Sequence, residues 1–165
     1  MELRIVRFEE AHVAQVAAIE AVSFRDPWNE HSFREILSLV DTSWVAVSDG
    51  AVVGYLITQW VLDEIHILNI AVDSGYRRNG VASQLLKMLF DLGRLQGMRD
   101  LFLEVRVSNV AAQQTYAKYG FTVLATRKAY YPDGEDALVM HRKLATRPTA
   151  TEPELDANLG DVNGD

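Results

Sequence analysis

Glu104 interrupts an otherwise apolar run, Leu101-Phe102-Leu103-Glu104-Val105. A carboxylate set in a strand of this kind is a candidate general base, acting directly or through one water. Strand alternation puts Glu104 and Arg106 on one face, so an ion pair on the solvent face is the plainer reading of the same residues. Tyr116 has a proton to give at neutral pH, since a phenol ordinarily titrates near 10. It also shares helical spacing with Ala112 and Tyr119, which by itself makes it a core aromatic. A third place is Ile70-Ala71-Val72-Asp73-Ser74-Gly75-Tyr76-Arg77-Arg78-Asn79-Gly80-Val81-Ala82, where an apolar strand runs through a loop into a helix. The free N–H groups and positive dipole end of a helix start suit an anion. Gly80 allows a bulky pyrophosphate close to the backbone, Ala82 keeps the first turn small, and Arg77 and Arg78 add charge. The plain alternative is a surface turn. The loop is neither a P-loop, lacking Gly-Lys-Ser/Thr, nor a G-x-G-x-x-G dinucleotide loop. His12, His31, His66 and His141 have no metal-ligand spacing, so no metal is expected.

These residues need elements to hold them. The pattern predicts a strand over Leu3–Phe8 and a helix over His12–Ser23. A second helix, capped by Asn29, carries Phe33, Ile36, Leu37 and Val40 at i, i+3, i+4 and i+7. Strands follow at Trp44–Val47 and Ala51–Trp60, joined by the hairpin signal Asp49-Gly50, and at Ile65–Val72. A helix over Val81–Gln96 ends at Gly97, with Val81, Leu85, Leu89 and Leu92 facing inward. Then come the strand Leu101–Val107, a helix Asn109–Tyr119 stopped by Gly120, and a pair Phe121–Ala129 and Ala137–Leu144 around Pro132-Asp133-Gly134. Hairpins together with helical crossovers predict an α/β or α+β fold with a mixed sheet.

Composition narrows the class. The chain has 165 residues, 48% apolar and 24% charged, which suits one domain with a real core. No apolar run reaches the roughly 18 residues of a membrane span, and the opening Met1-Glu2-Leu3-Arg4 lacks a signal-peptide layout. With no cysteine there is no disulfide, thiolate site or cysteine nucleophile. These features lead to the expectation of a cytoplasmic protein. Net charge is −7, of which the stretch 145–165 carries −4. An acidic body of this kind is not expected to grip nucleic acid but can attract a basic peptide. The expected division is one domain over 1–144 and an acidic tail over 145–165, too poor in large apolar residues to order itself.

Arg77-Arg78-Asn79-Gly80-Val81-Ala82 resembles the Arg/Gln-x-x-Gly-x-Gly/Ala motif of the GNAT superfamily of N-acetyltransferases, which holds the pyrophosphate of acetyl-CoA. Ser108-Asn109-Val110-Ala111-Ala112-Gln113-Gln114-Thr115-Tyr116-Ala117-Lys118-Tyr119-Gly120-Phe121 is similar to its second signature. Asp26-Pro27-Trp28, Leu62-Asp63-Glu64, Leu68-Asn69-Ile70-Ala71-Val72, Leu103-Glu104-Val105-Arg106 and Tyr130-Tyr131-Pro132-Asp133-Gly134-Glu135-Asp136-Ala137 narrow the resemblance to the ribosomal-protein-alanine N-acetyltransferases, the RimI type, over residues 1 to about 144. The resemblance implies a sheet of about seven strands with about four helices. It implies acetyl-CoA as cosubstrate and a protein N-terminus as acceptor. It assigns Glu104 as base and Tyr116 as acid. The backbones of Ile70, Ala71 and Val72 and the side chain of Asn109 would hold the pantetheine region, with Arg77, Arg78, Asn79, Gly80, Val81 and Ala82 at the pyrophosphate. A helix cap is the ordinary alternative for Asn109, and both roles are compatible. Trp28, Tyr130 and Tyr131 would line the peptide groove, with Glu64 or Asp136 near a basic substrate; packing is an equal reading for Trp28. A GNAT enzyme for a small amine, a protein N-terminal acetyltransferase of broader specificity, and a non-catalytic acetyl-CoA sensor remain as alternatives. The last would need the Arg77–Ala82 turn but neither Glu104 nor Tyr116.

Overall fold

The computed structural model describes residues 1–145, so the expected acidic tail lies outside the described residues apart from Ala145. Among the described residues seven strands form: β1 (Arg4–Arg7), β2 (Ser43–Ser48), β3 (Ala51–Val61), β4 (Glu64–Val72), β5 (Asp100–Arg106), β6 (Thr122–Arg127) and β7 (Ala137–Lys143). Four α-helices accompany them among the described residues: α1 (Val13–Ser23), α2 (Glu30–Leu39), α3 (Val81–Leu95) and α4 (Val110–Lys118). The strands make one sheet in the order β1-β2-β3-β4-β5-β7-β6. Among the described residues only β4 and β5 run parallel, and α3 is the crossover that such a pair requires.

Local chemistry sets the boundaries. Asn29 Oδ1 accepts the Ser32 N–H at 2.9 Å and starts α2; Asn109 Oδ1 accepts the Ala112 N–H at 3.1 Å and starts α4. Asp49 and Gly50 both take positive φ, 51° and 78°, which is what a two-residue hairpin loop between β2 and β3 demands. The mixed sheet expected from hairpins plus crossovers is the one that forms.

Each face of the sheet has its own core. On one face α3 and α4 bury Val81, Leu85, Leu86, Leu89 and Tyr116 against Leu56, Ile67, Ile70, Leu103 and Val105. Each fully buried aliphatic side chain there stabilises by about 1.5–3 kcal/mol. On the other, α1 and α2 pack Val13, Val16, Ile19 and Phe33 against Val45, Tyr55, Ile57 and Ala71. Among the described residues no helix is long and apolar enough to cross a membrane.

β4 is irregular in two ways, and both shape its surroundings. The first is a bulge: Ile57 pairs with Asn69 and Thr58 with Ile67, leaving Leu68 as the extra residue. Before it, Ile65 and Ile67 face the α3 side; after it, Ile70 and Val72 do. Leu68 and Asn69 therefore both fall on the α1 side. The second is a parting of strands. β4 pairs with β5 only through Glu64, Ile65 and His66, opposite Asp100, Leu101 and Phe102. Beyond that point the two diverge.

Candidate active site in the gap between β4 and β5

The divergence opens a pocket within the sheet, lined by Ile67, Leu68, Asn69 and Ile70 from β4, Leu103 to Arg106 from β5, Ala112 and Tyr116 from α4, and also Phe24 and Tyr131. β5 alternation directs Leu103 and Val105 to the α3/α4 core and Glu104 to the α1/α2 face. Glu104 and Tyr116 thus belong to opposite faces of the sheet and line one pocket only because the strands part between them. A group placed in the gap has a carboxylate on one side and a phenol on the other.

Glu104 is mostly enclosed, with 18% of its side chain exposed, and its nearest cation is Arg127, at 3.6 Å. The pairing of Glu104 with Arg106 offered by the sequence does not form. The Arg106 guanidinium, fully buried, instead meets Asp26 at 2.5 Å, Asp133 at 2.9 Å and Glu135 at 2.9 Å. The Tyr131 ring lies 4.0 Å from its central carbon. A buried guanidinium needs such partners, because leaving it uncompensated is costly. The effect is to tie the α1–α2 connection to the β6–β7 connection across the end of β5. Hydrogen bonds from the Glu135 backbone and from Arg106 hold the Asp133 carboxyl below the usual carboxylate range. Hydrogen bonds from Ser108 and Arg106 do the same for Glu135.

Tyr116 is buried, with its ring edge-on to Phe121 at 5.8 Å. Burial pushes its phenol well above the ordinary value, and Tyr131 and Tyr119 add to the shift. The hydroxyl therefore keeps its proton throughout the neutral range and can donate it into the gap.

The two loops joined through Arg106 form one wall of a groove on the α1/α2 face. Trp28, Asp26, Tyr130, Tyr131 and Pro132 line it, with Glu20, Phe24, Leu68, Asn69 and Glu104. Trp28 both lines this groove and packs on Phe33, with ring centroids 5.4 Å apart, so the two readings of Trp28 coexist. Tyr130 stands edge-on to Tyr131 at 5.1 Å, and partial burial followed by the Glu104 charge raises its phenol. Glu64 is not brought to the groove. It lies at the closed end of the β4–β5 pairing, opposite Asp100, with His66 at 3.4 Å. Asp136 accepts the Ala129 N–H at 2.8 Å and stabilises a turn.

At the other end of β4 the chain turns through Asp73, whose carboxylate accepts the Gly75 N–H at 2.9 Å. Arg77, Arg78 and Asn79 are exposed, and Gly80 is the left-handed N-cap of α3 at φ 75°. Arg78 also takes a positive φ, 65°, so the loop curls tightly above the helix start. Val81 and Ala82 are buried in the first turn. This arrangement suits the pyrophosphate of acetyl-CoA: a helix start with no side-chain cap, two exposed arginines and a glycine at the N-cap. The gap beyond His66 suits the slender pantetheine arm, since the pairing of β4 with β5 ends there. The side chains of Ile70, Ala71 and Val72 are core, as expected.

Sequence reasoning missed Glu20 and gave Asn69 no role. Glu20 is 1% exposed. It accepts from the Tyr55 hydroxyl at 2.9 Å and from Asn69 Nδ2 at 2.5 and 3.0 Å. The available signal was an acid within the helical stripe Val13, Val16, Ile19 that buries α1.

The chain matches known proteins along most of its described length. The acetyltransferase (GNAT) family pattern matches residues 13–121. The [ribosomal protein bS18]-alanine N-acetyltransferase of Escherichia coli (strain K12) is 39% identical over 125 residues, covering 74% of this chain and 84% of that protein. The crystal structure of the ribosomal-protein-S18-alanine N-acetyltransferase from Escherichia coli superposes with TM-score 0.81 at 33% identity, covering 92% of this chain and all of that one. That of Ard1 from Thermoplasma volcanium superposes with TM-score 0.84 at 30% identity, covering 88% and 99%. With the strand parting, the helix-start turn and the sheet order all in place, this chain belongs to the acetyltransferase (GNAT) family.

Proposed function

We propose that the protein transfers an acetyl group from acetyl-CoA to the free N-terminal amine, alanine first among residues, of a ribosomal protein. The observation that carries this is the gap that joins the two faces of the sheet, with Glu104 reaching it from the peptide-groove side and Tyr116 from the cofactor side. Acetyl-CoA supplies the activated acetyl group; the residues supply position and proton transfer. Arg77, Arg78, Asn79, Gly80, Val81 and Ala82 take the pyrophosphate. The β4 backbone at Ile70, Ala71 and Val72, with Asn109, takes the pantetheine arm. Trp28, Tyr130 and Tyr131 hold the first residues of the peptide.

A peptide α-amine titrates near 7.7–8.0, so most of it is protonated at neutral pH and cannot attack. Glu104 removes that proton, directly or through a water. As the C–N bond forms and the C–S bond breaks, Tyr116 gives a proton to the departing sulfur, and the second proton lost by the amine nitrogen replaces it. A Lys side chain, with a pKa near 10.4, presents far less neutral amine and is a poor substrate for the same machinery. A ribosomal-protein acceptor places the enzyme in the cytoplasm. The groove's carboxylates (Glu20, Asp26, Glu104) favour a basic residue near the N-terminus.

The test is a substrate panel. Peptides beginning Ala-Arg, Ala-Glu, Ser-Arg and Met-Arg are compared with spermidine and an aminoglycoside, and kcat/KM is read for each. Ala followed by a basic residue should give the highest value, and free small amines should be turned over at least about a hundredfold less well. Preference for a small amine would overturn the reading. Equal use of all peptides would keep the reaction and remove the ribosomal-protein specificity.

A further inference from the structure

Five residues line both the gap and the peptide groove: Phe24, Leu68, Asn69, Glu104 and Tyr131. The junction they share is where an incoming amine meets the acetyl group, provided the protein is the N-terminal acetyltransferase proposed for it. Asn69 and Glu104 are the two among them with strong carbonyl-type acceptors. Glu104 already has its role as base. Asn69 has none, yet several features fix its side chain.

The β4 bulge turns Asn69 out of the α3 core and onto the α1 face, beside Leu68. There its Nδ2 donates to both oxygens of Glu20, at 2.5 and 3.0 Å. A carboxylate only accepts, so this contact determines which end of the amide faces Glu20. Glu20 is held in turn by the Tyr55 hydroxyl at 2.9 Å, and burial with the Glu20 charge raises the Tyr55 phenol so that it stays a donor. The amide therefore cannot swing. Its other end, Oδ1, is buried and has no hydrogen-bond partner among the described residues. A buried carbonyl left this way is unusual and asks for a donor. Donation from Nδ2 to a charged carboxylate also polarises the amide and strengthens Oδ1 as an acceptor.

We propose that Asn69 is a positioning residue for the attacking nitrogen: Oδ1 accepts one N–H of the substrate's α-amine at the junction of groove and gap. Glu104 takes the proton to be lost, Asn69 holds another, and the lone pair is left directed into the gap. Glu20 and Tyr55 keep the acceptor aimed. A neutral amide suits this task because it binds the amine without competing for its proton.

The experiment compares two ligands on the full chain in the presence of CoA. One is an Ala-Arg peptide; the other is its desamino analogue, with a propionyl group in place of alanine. Dissociation constants are measured by calorimetry for the wild type, Asn69→Ala and Asn69→Leu. The wild type should bind the amine about tenfold more tightly than the desamino peptide, the size of one or two good hydrogen bonds. Both variants should lose most of that preference while binding the desamino peptide and acetyl-CoA as the wild type does. Should both variants fail to fold, the Asn69 side-chain amide is followed by NMR in the wild type. It should shift on adding the Ala-Arg peptide and stay in place with the desamino peptide. An undiminished preference in a folded variant, or an amide signal indifferent to the amine, overturns the role of Asn69. Failure of the wild type to acetylate the Ala-Arg peptide at all overturns instead the function on which the role rests.

Discussion

Glu104→Gln should lower kcat by about 10² or more, the usual size of a general-base contribution, with acetyl-CoA binding unchanged. Gln keeps the shape of the side chain and fits the same mostly enclosed position opposite Arg127. It removes only the ability to take a proton. Part of the lost rate should return as pH rises past the α-amine's own titration near 7.7–8.0, because the nucleophile then arrives neutral. The measurement is a pH–rate profile at saturating acetyl-CoA and peptide. A wild-type profile from Glu104→Gln would move the base elsewhere. Glu20 would be the next residue to test, since it is an acid lining the groove, whereas Glu64 lies at the closed end of the β4–β5 pairing.

Tyr116→Phe should also lose kcat, by about 10² to 10⁴, and here high pH should give no rescue. The defect lies in donating a proton to the sulfur, which a neutral amine does not repair. Burial raises the Tyr116 phenol, with Tyr131 and Tyr119 contributing, so in the wild type the donor form persists to well above neutral pH. The falling limb of the wild-type profile should accordingly not come from Tyr116. The ring that packs against Phe121 remains in the variant, so its thermal stability should change little. If Tyr116→Phe turns over at the wild-type rate, Tyr116 is a core aromatic and no more.

Much of this site was legible in the residues because it rests on local chemistry. A cap such as Asn29 or Asn109, a turn such as Asp49-Gly50 and a strand–loop–helix such as 70–82 are each written in a few neighbouring positions. Glu104 stood out as a charge inside an apolar strand, and alternation put it on one face with Arg106 without saying that this face is largely enclosed. What was not legible depends on contacts between distant segments. The partners of Arg106 lie 80, 27 and 29 residues away, at Asp26, Asp133 and Glu135. Spacing along β5 therefore suggested Glu104 instead. Glu20 reaches Asn69 across 49 residues, and only because a bulge reverses the face that simple alternation assigns to Asn69. The bulge left one trace in the sequence: the inward apolar residues of β4 change from odd positions (65, 67) to even ones (70, 72). Glu64 illustrates the converse. It is near the site in sequence and on the same strand, but it precedes the point where β4 and β5 part.

The most direct measurement is tandem mass spectrometry of an Ala-Arg peptide carrying one internal lysine, after incubation with the enzyme and acetyl-CoA. The fragment series locates the added acetyl group. Modification of the α-amine, with the lysine untouched and the product absent when acetyl-CoA is left out, is the predicted result. Acetylation confined to the lysine side chain would contradict it.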